Sequence, residues 1–212
     1  MSGSDHTSRM ASLLGRLRRE MNGAVVEAME RAGVKGPLNY GVSIPTIRAI
    51  AAETGRDHAF ARFLYRQEVR ELRMAAVSIA EPSAVTPDEL PEWLEGDPTL
   101  ELLDELALKL FSKCSPEVTD TLAGRWLTRG TLPMRYAALM TLARVPRKEP
   151  GSLLAGLRRT LEEFPREMTL ARAAVPCCCS LAGLCSGDEL RAALPDTPSG
   201  RFVREELAGL LP

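Results

Sequence analysis

The chain has 212 residues, 45% hydrophobic and 26% charged, which excludes an intrinsically disordered polymer and suffices for one sizeable core. Its net charge of −1 excludes a surface coated in positive charge but not a local basic groove, because phosphate binding depends on where charges sit. No apolar run approaches the ~20 residues of a membrane span, and the polar start Met1–Arg9 lacks the apolar stretch of a secretory signal, so no membrane contact and a cytoplasmic location are expected.

Residues 1–8 read as a disordered lead-in and 9–212 as a single domain. Leu, Ala, Glu and Arg dominate, alternating apolar runs are scarce, and Pro or Gly breaks recur, so the elements are helices. The first runs from Arg9 to Ala32 and stops at Gly33. A turn-rich stretch, Gly36–Ser43, precedes a helix opened by Pro45 and closed before Gly55. Asp57 caps the next, which reaches about Gln67. Further helices follow over Glu68–Ala80, Thr86–Trp93, Thr99–Lys113, Ser115–Thr128, Pro133–Val145 and Ser152–Phe164. Glu167–Leu184, kinked by Pro176, then Gly187–Leu194 and Gly200–Leu211, complete the chain.

Five of these helices repeat one pattern, a polar residue followed by a small apolar face: RMAAVSIA, DELALKLF, RYAALMTLA, RAAVPCCC and REELAGLL. Their leading residues, Arg73, Asp104, Arg135, Arg172 and Arg204, are spaced by 31, 31, 37 and 32 residues, a period typical of two-helix repeats. One helix pair cannot bury its apolar stripe alone, and stacking pairs does so. The expected fold is therefore an all-α, HEAT-like helical-repeat solenoid, an α-α superhelix.

The leading residues would then form a column along the concave side. Read functionally, guanidiniums spaced by ~10 Å, the usual helix packing distance, track a phosphate backbone. Arg48 and Arg70 extend the set, and Lys109 and Lys113 contribute. Read structurally, the column is a solvated row of charges. Asp104 is the odd member. Cleaving an N-glycosidic bond builds positive charge on the sugar, which a carboxylate stabilises while orienting water. An ion pair of Asp104 with Arg73 or Arg135 is the structural alternative.

Other candidates read as structural. Cys114, Cys177, Cys178, Cys179 and Cys185 form no paired CxxC, and successive helical residues point ~100° apart, so buried reduced thiols are expected and no metal. His6 falls in the lead-in and His58 has no partner motif. Trp93 and Trp126 read as packing residues, and Glu101 and Glu105 as solvated helix charges.

Several segments resemble the AlkD-like DNA alkylation repair glycosylases. NYGVSIPTIRAIA (Asn39–Ala51) is similar to that family's YGV-x-x-P-x-(IL)-R motif, and EVRELRMAAVSIAEP (Glu68–Pro82) to its second signature. WLEGDPTLELLDELALKLF (Trp93–Phe111) and PMRYAALMTLA (Pro133–Ala143) resemble its Asp-bearing and Arg-bearing helices. The likeness covers about Leu38–Val145. It implies duplex DNA held on a concave face and excision of bulky or cationic alkylpurines, by a monomer without cofactor. The family's Asp falls at Asp104 and its DNA-contacting Arg at Arg135. The family places one Trp a turn before the Asp, where this chain has Leu100, and a second Trp near the middle of the Arg172 helix, where it has Pro176 and the cysteines. The expected site is thus Asp104 as catalyst with Arg48, Arg70, Arg73, Lys113, Arg135 and Arg172 on DNA. The alternatives are a non-catalytic DNA-binding relative and a scaffold for a protein partner.

Overall fold

The computed structural model describes residues 3–34, 36–146 and 149–210. Within them there is no β-strand, only the isolated bridges Leu38–Val69 and Ala182–Cys185, so the fold is an all-α helical repeat. No helix among the described residues is long and apolar enough to cross a membrane. The chain divides into two compact units, one reaching Val85 and including Glu89–Leu110, the other made of Thr86–Asp88 and Phe111 onward.

The first unit opens with α1 (Gly3–Arg19) and α2 (Gly23–Arg31). The expected single helix over Arg9–Ala32 is thus two. Asn22 divides them, because its side-chain oxygen accepts from the Val25 N–H and caps a new start. The expected disordered lead-in is also corrected. Met1 and Ser2 lie outside the described residues, but the helix begins at Gly3. His6 packs 5.5 Å from the rings of both Phe60 and Phe63, and Arg9 pairs with Asp57 at 2.8 Å. Those partners lie some fifty residues on, beyond any local pattern.

Asp57 also caps α4 (His58–Tyr65) through the Phe60 N–H. Burial pushes its carboxyl up, but the Phe60 bond and Arg9 outweigh that and hold it below its ordinary value. In α3 (Ile44–Ala52), Ser43 caps and Pro45 fills the first turn. Then come α5 (Arg70–Ile79), 3₁₀ turns at Pro82–Ala84 and Leu90–Leu94, and α6 (Leu100–Glu105), capped by Thr99. The expected helix over Thr86–Trp93 is therefore only a tight turn, which Pro87 and Pro91 keep short. The expected Thr99–Lys113 helix changes pitch instead of running on, with a π turn at Leu106–Leu110. Helix α5 packs on α3, α4 and α6 and is buried almost throughout.

In the second unit, a 3₁₀ turn (Phe111–Lys113) precedes α7 (Pro116–Thr121), a second π turn (Leu122–Trp126) and α8 (Leu127–Arg129). Next come α9 (Leu132–Leu142), α10 (Gly151–Glu163), α11 (Met168–Cys179), α12 (Gly187–Ala193) and α13 (Pro198–Ala208). Helices α9, α11 and α13 make one layer, and α8, α10 and α12 pack as the other. Ala137 and Ala138 on α9 and Ala173 and Ala174 on α11 are buried, and the two helices pack on each other. Helix α11 stops at Cys179, short of the expected Leu184, with Pro176 in its last turn. The last helix ends at Ala208, and the expected terminus Leu211 lies outside the described residues.

One carboxylate organises the first unit. Glu71 is fully buried on α5 and accepts from the backbone N–H groups of Tyr40 (3.1 Å) and Val42 (3.3 Å) and from Arg70 (3.0 Å). This clamp folds the 38–43 turn onto α5. Gly41 has φ +72° there, and any β-carbon would strike the Asn22 carbonyl, so only glycine fits. Glu71→Gln, which cannot match both amides and the guanidinium, is expected to lower unfolding stability by about 2–3 kcal/mol. An unchanged urea midpoint would remove the clamp from the account.

Candidate nucleic-acid interface

The leading residues are not equivalent within either unit. Arg73 and Arg135 stand four positions after their helix N-caps, Val69 and Thr131. Asp104 and Arg172 stand five positions after theirs, Thr99 and Glu167. One residue is ~100° of helical rotation, so the two sets point differently. Burial follows: Arg73 is 6% and Arg135 1% exposed, whereas Asp104 is half-buried and Arg172 exposed. The repeat spacing along the chain aligned residues that stand at different positions past their helix caps.

The buried pair has a structural task. Arg73 donates from Nε to the Gln67 carbonyl (3.0 Å), just past α4, and from Nη1 to the Gly96 carbonyl (3.1 Å), in the turn before α6. Arg135 donates from Nε to the Gly130 carbonyl (2.8 Å), just past α8, and pairs through Nη2 with Glu163 at the end of α10. Its Nη1 also reaches Thr160 Oγ1 (3.4 Å). Each guanidinium therefore ties the turn of its own helix pair to the following pair. Arg204 does part of this, donating to the Pro195 carbonyl at 3.0 Å. The assignment of Arg73 and Arg135 to DNA is corrected accordingly, because their donors are turned inward and satisfied.

Arg70 is corrected for the same reason. It is 8% exposed and holds Glu101 through Nε (2.8 Å) and Nη2 (2.6 Å), with Nη1 on Glu71 and the Val42 carbonyl. Arg48 forks onto Glu105, whose side chain is 5% exposed. Glu101 and Glu105 are thus ion-pair partners rather than solvated charges. These links join α3 and α5 to α6, and they fix the rotation of the helix that carries Asp104. Neither Glu71 nor Glu163 stood out in the sequence. The available signal was a glutamate beside or some thirty residues from each arginine, a spacing meaningful only once the pairs are stacked.

On α6 the order is Leu100, Asp104, then the π turn Leu106–Leu110. Leu100 is 47% exposed, one helical turn before Asp104. Single π turns inside helices recur at functional sites. Of the remaining expected cations, Lys113 is exposed at the end of its 3₁₀ turn, and Arg172 is exposed on α11.

The residues read as structural mostly behave so. Trp93 and Trp126 are each 1% exposed; Trp93 donates to Glu89 (2.9 Å) and Trp126 meets Phe111 edge-on. His58 does have a partner, Glu89, at 2.9 Å. Of the five cysteines Cys177 and Cys178 are buried and the other three half-buried, and burial together with the neighbouring thiols pushes Cys178 well above the ordinary thiol range. Among the described residues no group of three or more His, Cys, Asp or Glu is arranged to hold a metal.

Replacing Arg135 with alanine is expected to cost on the order of 3 kcal/mol, from unpaired carbonyls and the space left behind. Denaturant unfolding measures this. Full stability with weakened DNA binding would return Arg135 to the interface.

A family profile described as DNA alkylation repair enzyme matches residues 13–168. No curated protein and no solved structure matches the chain.

Proposed function

Because the chain belongs to the family of DNA alkylation repair enzymes, we propose that it binds damaged duplex DNA and hydrolyses the N-glycosidic bond of an alkylated purine, with Asp104 as the carboxylate at the sugar. The observation that carries this reading is the placement of Asp104. It keeps a share of the surface on a helix whose rotation is fixed by Arg48–Glu105 and Arg70–Glu101, while Arg73 is committed to structure.

The chemistry suits a carboxylate beside the sugar. Alkylation at a ring nitrogen makes the purine a cation, so it departs with the bonding pair as a neutral base. Positive charge then develops on the sugar, and a fixed anion beside it lowers the barrier. Water adds to the anomeric carbon and gives up a proton, for which Asp104 is the acceptor. The helix pairs are read as HEAT-like repeats, and the protein as a monomer that needs no cofactor. Lys113 and Arg172 are the phosphate contacts in this reading, since both are exposed.

Single-turnover release of base from a methylated-purine duplex tests the first part. Asp104→Asn is expected to slow release about 10²–10³-fold with duplex affinity retained. Release at the wild-type rate would remove Asp104 from the chemistry. Lys113→Ala and Arg172→Ala are each expected to reduce the slope of log affinity against log salt by about one. An unaltered slope would take that residue off the phosphate backbone.

A second reading is favoured by Leu100. An aliphatic side chain has no π face to meet a charged sugar, where the resembled family has an indole. Binding without release by the wild-type protein would select a non-catalytic DNA-binding relative.

A further inference from the structure

On the helical stretch from Leu100 to Leu110 one side is buried, with Leu102, Leu103, Leu106, Ala107 and Leu110 turned into the core. The other side presents Leu100, Asp104 and Leu108 in steps of four residues, so the three share a face. Asp104 is half-buried, and the leucines before and after it are 47% and 39% exposed. Seven large hydrophobics are exposed among the described residues, and two of them flank this one carboxylate.

The π turn accounts for the place of Leu108. Four residues exceed one α-helical turn, so each step of four drifts ~40° around an unbroken α-helix. A π turn holds more residues per turn, so Leu106–Leu110 takes back part of that drift. Leu108 therefore stays over the face of Asp104 instead of rotating off it.

An exposed leucine beside a carboxylate has a chemical consequence once a ligand covers both. The aliphatic side chain offers water no hydrogen bond, so a docked sugar leaves that side of the carboxylate dry. The attraction between the carboxylate and a sugar cation rises as the effective dielectric falls. Leu100 has no π face to share the positive charge, so drying Asp104 strengthens the one group on this face that opposes it.

We propose that Leu108 is a positioning residue of the site, an inference that rests on Asp104 being the carboxylate at the sugar. Leu108 lies against the carbon–hydrogen edge of the deoxyribose and excludes water beside Asp104. It thereby raises the preference of the site for a positively charged sugar. It acts through Asp104 and not on the reacting atoms, and what matters is that it is apolar and of this length.

The test reads binding and needs no base release. Two otherwise identical duplexes carry at one central nucleotide either a tetrahydrofuran, which is a neutral sugar without a base, or a pyrrolidine, whose ring amine is protonated at neutral pH. Their affinities for the full chain are compared at ~0.15 M salt. Wild type is expected to prefer the pyrrolidine duplex at least about tenfold, and Asp104→Asn to remove that preference. Leu108→Ser is expected to cut the preference at least about threefold while binding the tetrahydrofuran duplex as wild type does, and Leu108→Met to keep it. Leu108 is exposed, so thermal midpoints should hold. A preference unchanged in Leu108→Ser but lost in Asp104→Asn overturns this proposal and spares Asp104. Equal binding of the two duplexes by wild type overturns both. Equal loss of affinity for both duplexes in Leu108→Ser, or a lowered midpoint, makes Leu108 a general DNA contact or a packing residue and overturns the proposal as well. No base release by wild type, with the pattern of preferences intact, sinks excision alone and leaves Leu108 its part in holding the charged sugar.

Discussion

A carboxylate removed from water is tolerated only where hydrogen bonds replace its hydration. Glu71 meets that condition with two backbone amides and the Arg70 guanidinium, and much of the first unit follows from it. The amides belong to the 38–43 turn, so satisfying Glu71 determines where that turn lies. The turn then determines where α3 begins. Arg70, held by Glu71, reaches on to Glu101 and orients α6. Asp104 thus inherits its orientation through two ion pairs and one loop, none of which needs to touch DNA.

Three of the arginines at the heads of the repeats differ by a single residue in their position past the cap. Arg73 and Arg135, four positions past it, enter the gap between helix pairs and bind carbonyls there. Arg172, five positions past it, is exposed. Both kinds carry the same charge and nearly the same spacing, yet one holds the repeats together and the other is free to meet a ligand. A guanidinium is suited to the first task because its rigid fork offers several donors at once to carbonyls with open lone pairs.

Much of the architecture was legible because it rests on periodic signals. The small apolar faces and the cap at Asp57 lie within a turn or two of what they govern. The break at Asn22 was equally local and was obscured by the helix-forming residues on either side. What could not be read was everything decided across the stack: His6 against Phe60 and Phe63, His58 with Glu89, and the burial of Arg73 and Arg135. The π turns escaped for a related reason, since a helix that widens for one turn keeps an ordinary helical composition. For the candidate site, the position of Asp104 on its helix was legible, while the residues that hold the helix in place were not.

The reach of the buried arginines also bears on how the chain is assembled in time. Arg73 is satisfied by a carbonyl 23 residues further on, and Arg135 by a carboxylate 28 residues further on. During synthesis α5 and α9 each emerge before the groups that complete them, and each stays an open end until the next pair arrives. At these two points the growing chain matures with a lag of about one repeat, and the newest pair is the one still exposed to chaperones and proteases.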